Sequence, residues 1–394
     1  MPSVAIIGTR GYPSYYGGFE TAVRKLAPYL VEHGWDVTVY SRPGATRSDD
    51  PERDPRVRVV ETGGLETKSL STLSYGYTAV RHAVKQQHDV ALVMNVANGY
   101  WLPLLERAGI PTLVNVDGIE WDRAKWGRLA KWVFRTGAKK TAKHGTRLVF
   151  DANEIARRWK DDFHRDGVFI PYGGDAVSDE LPVEPGLAHR KYALMVARFV
   201  PENTVLEFFE AAPRIAEHAD VVIVGSSGYG GDLDDTAQAL AERHERIHWL
   251  GHVSDDRRLH SLWQHAGVYF HGHSVGGTNP ALVQAMALGA PVVARDTPYN
   301  REVLESGNFV SAHPGDIADT ILNELEDLQN LERQSVLNRR RAEQHYSWTG
   351  VNSAYAGALS SLIPVRVLAV TEHAGRPDAI LAPPSRDQAT APRP

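Results

Sequence analysis

The sequence predicts an α/β protein made of two doubly wound parallel-sheet domains facing a cleft. Three observations lead there. Short apolar runs alternate with helical patterns along most of the chain. The alternation breaks near Phe169 and then starts again. At 394 residues, the chain is long enough for two domains with cores of their own.

In the first series Val4–Ile7, Asp36–Tyr40, Val57–Val60, Val90–Met94, Thr112–Val116 and Arg147–Phe150 read as strands. They are nearly continuously apolar, as strands covered on both faces are. Phe19–Glu32, Ser71–Gln86, Tyr100–Arg107 and Lys125–Lys143 carry helical spacing between most of them. The second series gives strands at Tyr192–Val196, Val221–Val224, Ile247–Leu250, Val268–Phe270 and Pro291–Ala294. Helices follow at Glu202–Glu217, Leu233–Arg243, Asp255–His265 and Pro280–Leu288. Such alternation means parallel sheets with helical crossovers. The stretch from Phe169 to Asp175, then Leu181 to Gly186, is rich in Pro and Gly and reads as the linker. Sheets of this kind bind ligands at the carboxyl ends of their strands, so the interdomain cleft is the expected site.

Composition excludes several classes. With 42% hydrophobic residues the chain is neither disordered nor fibrous. It has no cysteine, hence no disulfide framework, thiolate metal site, iron–sulfur cluster or catalytic thiol. That fits a reducing compartment. The net charge of −5 argues against a general nucleic-acid binder, and no nucleic-acid partner is expected. No signal peptide and no spanning helix are expected, because Ser3 to Gly8 enters a strand directly and no run of ~18 apolar residues occurs. The expected location is cytoplasmic.

The charges are not evenly spread. Arg123, Lys125, Arg128, Lys131, Arg135, Lys139, Lys140, Lys143 and Arg147 occur with no acid among them. Trp126, Leu129, Trp132, Val133 and Phe134 interleave. Residues 123–147 therefore read as an interfacial helix on anionic lipid or as a solvated basic face with its aromatics in the core, an RNA surface being the poorer reading because no RNA module accompanies it.

Two glycine-rich loops suit phosphate. The first, Gly8 to Glu20, places Gly17-Gly18 at a helix start. It has neither the spacing of a Walker loop nor that of a dinucleotide fingerprint. The second runs His271-Gly272-His273-Ser274-Val275-Gly276-Gly277-Thr278-Asn279-Pro280. Asn279 is a natural N-cap and Pro280 a natural first helical residue, so Gly277 and Thr278 deliver backbone amides to a helix N-terminus. Gln284, one turn further in, could reach sugar hydroxyls. His271 and His273 lack a third ligand nearby and carry no metal expectation. Arg198 ends the first strand of the second series and suits a phosphate.

On these residues the chain resembles the retaining glycosyltransferases of the GT-B fold, family 4, from Val4 to about Trp348. The resemblance is closer to the rhamnosyltransferase-like branch, first labelled a domain of unknown function. The motifs are Gly8-Thr9-Arg10-Gly11-Tyr12-Pro13 with Tyr16-Gly17-Gly18-Phe19-Glu20, Asn115-Val116-Asp117-Gly118-Ile119-Glu120-Trp121 with Lys125-Trp126, and the His271–Pro280 loop. The resemblance implies two Rossmann-like domains. Residues 1–167 form the acceptor side, and a helix at about 346–363 packs back on them. Residues 168–345 bind the nucleotide-sugar, and 364–394 form a disordered tail. It further implies transfer with retention, the leaving diphosphate helping to take the acceptor proton.

The best match of donor is dTDP-rhamnose. The resemblance implies a saccharide acceptor, lipid-diphosphate-linked, in cell-surface polysaccharide synthesis. That acceptor suits a peripheral seat on the inner membrane face. Neither a metal nor a cofactor is implied, the nucleotide-sugar being a substrate. Donor contacts fall on Gly17, Gly18, Arg198, Asn203, Gly277, Thr278, Asn279 and Gln284. Two of these depart from the wider family: Asn203 stands for a lysine and Gln284 for a glutamate, while the first glutamate position falls on Gly276. Asp117, Asp151 and Tyr172 are the candidate catalytic residues, and Glu120, Trp121 and Lys125 the acceptor contacts. Each has a plainer alternative. Asp151 also reads as a helix N-cap, Asp117-Gly118 as a turn, and Tyr172 as hinge packing. A nucleotide-sugar 2-epimerase and a non-catalytic nucleotide-sugar sensor remain as alternatives.

Overall fold

The computed structural model describes residues 1–15, 17–65, 71–123, 126–177, 179–228 and 230–363. Tyr16, Lys125 and the segment 364–394, read above as a tail, lie outside the described residues.

The first series runs β1 (Ser3–Ile7), α1 (Gly18–Glu32), β2 (Asp36–Ser41), β3 (Arg58–Glu61), α2 (Ser71–Gln86), β4 (Val90–Met94), α3 (Leu102–Arg107), β5 (Thr112–Asn115), α4 (Arg128–His144), β6 (Arg147–Phe150), α5 (Asn153–Phe163) and β7 (Val168–Phe169). Its strands form a parallel seven-stranded sheet in the order β3-β2-β1-β4-β5-β6-β7. The second series runs β8 (Tyr192–Val196), α6 (Val205–Ala216), β9 (Asp220–Val224), α7 (Asp232–Arg243), β10 (Ile247–Trp249), α8 (Asp256–His265), β11 (Val268–His271), α9 (Pro280–Ala287), β12 (Val292–Arg295), α10 (Pro298–Leu304), β13 (Asn308–Val310), α11 (Pro314–Glu326) and α12 (Leu328–His345). Its six strands are also parallel, in the order β10-β9-β8-β11-β12-β13. The expected class, two doubly wound α/β domains, is the fold found.

Alternation along each strand explains the layering. In β1, Val4 and Ile6 join one apolar cluster while Ala5 and Ile7 join another on the opposite face. The first of these clusters does not stop at the domain edge. It continues through Leu26, Tyr172, Val283 and Tyr355 into Leu194 of the second sheet. The outer face of the second sheet has its own cluster around Phe208, Ile317 and Leu331.

In both sheets the strand order reverses, at β1/β4 and at β8/β11. The loops leaving these neighbouring strands diverge and open a crevice at the carboxyl ends. The functional loops are therefore placed by topology.

The boundary at 167/168 does not match the sheet. Val168 pairs with Val149 and Phe169 with Phe150, so β7 closes the first sheet and the crossover begins at Ile170. A two-residue edge strand is too short to show any periodicity. The chain then returns after α12. Its last helix, α13 (Trp348–Ser360), lies against the first domain. Asn115 Nδ2 donates to Tyr355 Oη at 2.7 Å, and Asn352 Nδ2 to the Lys25 carbonyl at 3.2 Å.

Candidate active site

The first loop leaves β1 through Gly8, whose φ is +101°. A Cβ there would lie 2.3 Å from the Met94 carbonyl oxygen, so only glycine fits. The loop is tied down by its own helix. Glu20 accepts from the Arg10 N–H at 2.9 Å and from Thr9 Oγ1 at 3.2 Å, and is 5% exposed. Gly17 begins α1 with no side-chain cap, leaving its N-terminal amides to other partners.

The second loop leaves β11 and enters α9. Asn279 caps that helix, its Oδ1 accepting from the Ala281 N–H at 2.9 Å. The two helix starts meet. A Cβ on Gly18 would sit 3.4 Å from Pro280 Cγ and 3.3 Å from Tyr172 Oη. Two helix N-termini, one from each domain, thus converge beside a hinge tyrosine. Their dipoles and backbone amides both favour an anion there. Burial holds the Tyr172 hydroxyl well above the ordinary phenol range, and the nearby charges of Asp117 and Asp151 add to this, so the phenol stays neutral.

An acidic group faces this point from the first domain. Asp117 has φ of +61°, a conformation that L side chains rarely hold. It is fixed from both sides. Its N–H donates to Asn115 Oδ1 at 2.9 Å, and Asn95 Nδ2 donates to its Oδ2 at 3.3 Å. Asp151 is 3% exposed and its Oδ1 has no hydrogen-bond partner. Burial, with the charge of Asp117 second, pushes its carboxyl up to about 8. Its carbonyl accepts from the Thr278 N–H at 3.2 Å and also from the Thr278 hydroxyl. A Cβ on Gly277 would overlap the Asp151 carboxyl, at 2.0 Å from Oδ1. The two domains therefore touch through Asp151 and Gly277-Thr278.

Arg123 lies in the same seam. It pairs with Glu120 Oε1 at 2.8 Å, and Glu120 Oε2 accepts from Trp126 Nε1 at 2.8 Å. A Cβ on Gly276 would come within 3.4 Å of both Arg123 Nη2 and His273 Nε2. Burial works against the Arg123 charge, but the carboxylates of Glu120, Asp117, Glu202 and Asp151 outweigh it and raise its pKa.

Residues 17–173 match the family described as a glycosyl transferase 4-like domain, and residues 190–328 match glycosyl transferases group 1. Each half of the chain thus matches a glycosyltransferase domain family. The phosphatidyl-myo-inositol mannosyltransferase of Mycolicibacterium smegmatis is 29% identical over 214 residues, covering 51% of this chain and 54% of that protein. The Mycobacterium leprae protein of the same name is 31% identical over 216 residues, covering 51% and 55%. The chain thus spans about half the length of the curated relatives it matches. Sucrose-phosphate synthase from Thermosynechococcus elongatus superposes with a TM-score of 0.74 at 17% identity, covering 94% of this chain and 100% of that one. Anabaena HepE in complex with UDP-glucose gives 0.71 at 16% identity, covering 92% and 100%. At such identities the likeness is one of fold, and the fold is GT-B.

Within the two matched regions the residues singled out by sequence separate into groups. Gly17, Gly18, Asp117, Asp151, Tyr172, Gly277, Thr278 and Asn279 gather at the seam. Asp151 is not a helix cap: Ala152 holds that position in α5. Arg198 stands two residues beyond β8, exposed and without an ion pair among the described residues.

Four expectations meet a different geometry. Asn203 faces inward, its Nδ2 donating to the Arg198 carbonyl at 2.8 Å and its Oδ1 2.6 Å from His273 Nδ1. Gln284 holds the hinge, exchanging both amide bonds with the Asp175 backbone at 2.9 and 3.0 Å. Lys25 grips the Asp175 carboxylate at 2.8 Å from the other domain. Glu120 and Trp121, expected to meet an acceptor, are only 4% and 5% exposed. Glu120 holds Arg123 and Trp126, while Trp121 packs edge-on against Trp159 and Phe163. The expected acceptor contact Lys125 lies outside the described residues.

Sequence reading missed Arg123, Glu202 and His273 as members of the seam. Arg123 was masked by the basic run it begins, although its place in the loop after β5, beside Asp117, is the signal that would have found it.

Proposed function

We propose that the chain is a retaining glycosyltransferase acting from a nucleotide-sugar, with dTDP-rhamnose the first choice of donor. One observation carries this: the meeting of the α1 and α9 N-termini at Gly18 and Pro280, a ready site for a diphosphate shared by both domains. Arg198 adds an exposed cation just beyond the end of β8. As the sugar–phosphate bond breaks, the negative charge gathering on the diphosphate is met by these groups. The closed seam holds the two sugars in line, and Asp117, Asp151 and Tyr172 border the reacting centre. The leaving diphosphate takes the acceptor proton on the same face. The mannosyltransferase relatives support mannose as the second choice of sugar.

The acceptor is a saccharide on a lipid diphosphate, in cell-surface polysaccharide synthesis. The named substrate of the relatives, a phosphatidyl-inositol, supports a lipid-borne acceptor. So does α4. Arg128, Trp132, Arg135, Lys139 and Lys143 recur at helical spacing and are all exposed, with Leu129 and Trp132 at 75% and 63%. No helix of the described residues is long and apolar enough to cross a membrane. Peripheral docking of this face on anionic lipid is the arrangement that fits.

A thermal-shift screen of dTDP-rhamnose against UDP- and GDP-sugars tests the donor. A selective shift with dTDP-rhamnose supports it, and a shift with GDP-mannose alone moves the choice to mannose. Epimerised nucleotide-sugar without acceptor would replace transfer by epimerisation. Co-sedimentation with anionic but not neutral liposomes, lost in R135E/K139E, is expected of the membrane face.

A further inference from the structure

We propose that Glu202 is a sugar-binding residue, its carboxylate accepting a hydroxyl of the sugar carried by the nucleotide. This rests on the proposed function and names a contact within the same cleft. Glu202 sits in the short turn Pro201–Asn203 that follows β8, at the point where the strand order of the second sheet reverses. It is 9% exposed, and its Oε1 is buried with no hydrogen-bond partner among the described residues. A carboxylate oxygen in that state has lost water and gained no hydrogen bond, so it is costly unless a donor arrives.

The protein prevents the group from relaxing away. The Glu202 carbonyl accepts from the Ser274 N–H at 2.9 Å and from Ser274 Oγ at 2.8 Å. Its neighbour Asn203 is held by the Arg198 carbonyl and by His273. Gly272 closes the other side, since a Cβ there would lie 2.3 Å from the Asn203 carbonyl oxygen. The loops after β8 and β11 are thus laced together, and the unpartnered oxygen is held by design of the backbone.

The obvious internal partner does not take it. Arg123 contributes to the same electrostatic neighbourhood, but its ion pair is with Glu120. Beside Glu202, the chain from Ser274 leads to Gly276, whose backbone is bare of a side chain and faces Arg123 and His273. Charge then sorts the ligand. A diphosphate is attracted to the α9 and α1 N-termini and repelled by a carboxylate. A pyranose offers hydroxyl donors and suits the carboxylate. Glu202 therefore reads the sugar end of the donor, and the helix starts read the phosphate end.

The test is isothermal titration of the full chain and of E202Q with UDP, GDP and dTDP, and with UDP-glucose, GDP-mannose and dTDP-rhamnose. The wild type is expected to bind one sugar-nucleotide more tightly than its parent diphosphate. E202Q should weaken that sugar-nucleotide by about 10- to 100-fold, the effect of a hydrogen bond to a charged group. It should leave the diphosphate within about twofold, and E202D should fall between. The melting temperature of E202Q should hold or rise, because the buried Oε1 has no hydrogen bond to lose. Equal loss for sugar-nucleotide and diphosphate, no loss for either, or a lowered melting temperature with unchanged sugar preference would overturn the role of Glu202. A wild type that binds no sugar-nucleotide better than its diphosphate would overturn the proposed function itself, and Glu202 with it.

Discussion

The two glycine-rich loops share one grammar and do different work. Each follows a strand at a reversal of strand order, and each ends in glycines before a helix. The first loop is completed within its own domain. Glu20 ties Thr9 and Arg10 to the start of α1, whatever the other domain does. The second loop is completed from outside. Thr278 reaches the Asp151 carbonyl, Gly277 lies on the Asp151 carboxyl, and Gly276 faces Arg123. The difference teaches that local hydrogen bonding shapes one wall of the cleft, while closure of the domains shapes the other. Changes in the first loop should therefore appear as stability, and changes in the second as turnover.

The largest effect is expected from G277A. Its added methyl overlaps all three atoms of the Asp151 carboxyl, at 2.0 to 2.4 Å. Asp151 is short, buried and fixed by its backbone, so the seam must part. Overpacking of this kind costs ~1–3 kcal/mol, and turnover in a direct donor assay should fall by roughly 10- to 100-fold or more. Circular dichroism should be unchanged, because the overlap lies between the Gly277 loop and Asp151 and not within either sheet. Normal turnover in G277A would break the comparison.

Arg198→Ala comes next. One charge-assisted phosphate contact is worth ~1.5–3 kcal/mol, so a loss of about 10- to 100-fold is expected without change in melting temperature. Near-normal turnover would remove Arg198 from the site.

A several-fold effect is expected from pH. The Asp151 carboxyl is raised from 3.8 to about 8 in the folded chain. The folded state therefore holds this proton more tightly than the unfolded one. The stability it contributes is full below 3.8 and is lost as pH rises to about 8. Turnover should fall above pH 8, where ionised Asp151 stands beside the charge of Asp117 on the same wall of the seam. D151N keeps the carbonyl that Thr278 uses, and its profile of kcat/KM should stay level there, at a lower overall rate. A wild-type profile level across pH 8 would disconnect the carboxyl from closure.

The smallest effect belongs to the first loop. E20Q weakens one charge-assisted bond to the Arg10 N–H and should lower the melting temperature by about 2–4 °C, with kcat nearly intact. A large fall in kcat with no thermal shift would erase the contrast between the loops.

Most of the fold was legible because long apolar runs, Pro–Gly breaks and helical spacing are properties of the chain itself. The central strands β1, β4 and β8 show this best, being buried almost throughout. What escaped was short or polar at the surface. β7 and β13 have two and three residues, and α12 is an Arg- and Gln-rich helix whose buried positions are few. The site was legible where topology alone decides, as for Asp117 and Asp151 at strand ends. It was not legible where a side chain could turn either way. Gln284 turned to the hinge and Glu120 to Arg123 because each found a nearer partner on folding.

The basic run divides in the same manner. Its composition was plain in the sequence, but Arg123 entered the buried seam while Trp132 and Leu129 stayed outside. The sequence by itself determined two βα series, the loops that leave their switch points, and the residue types available there. Those follow from periodicity and from backbone chemistry, which are local. Only the tertiary structure decided which glycine meets which carboxylate, why Asp151 holds its proton, and that Glu202 is left without a donor. Those depend on the approach of two domains, and on the desolvation that the approach imposes.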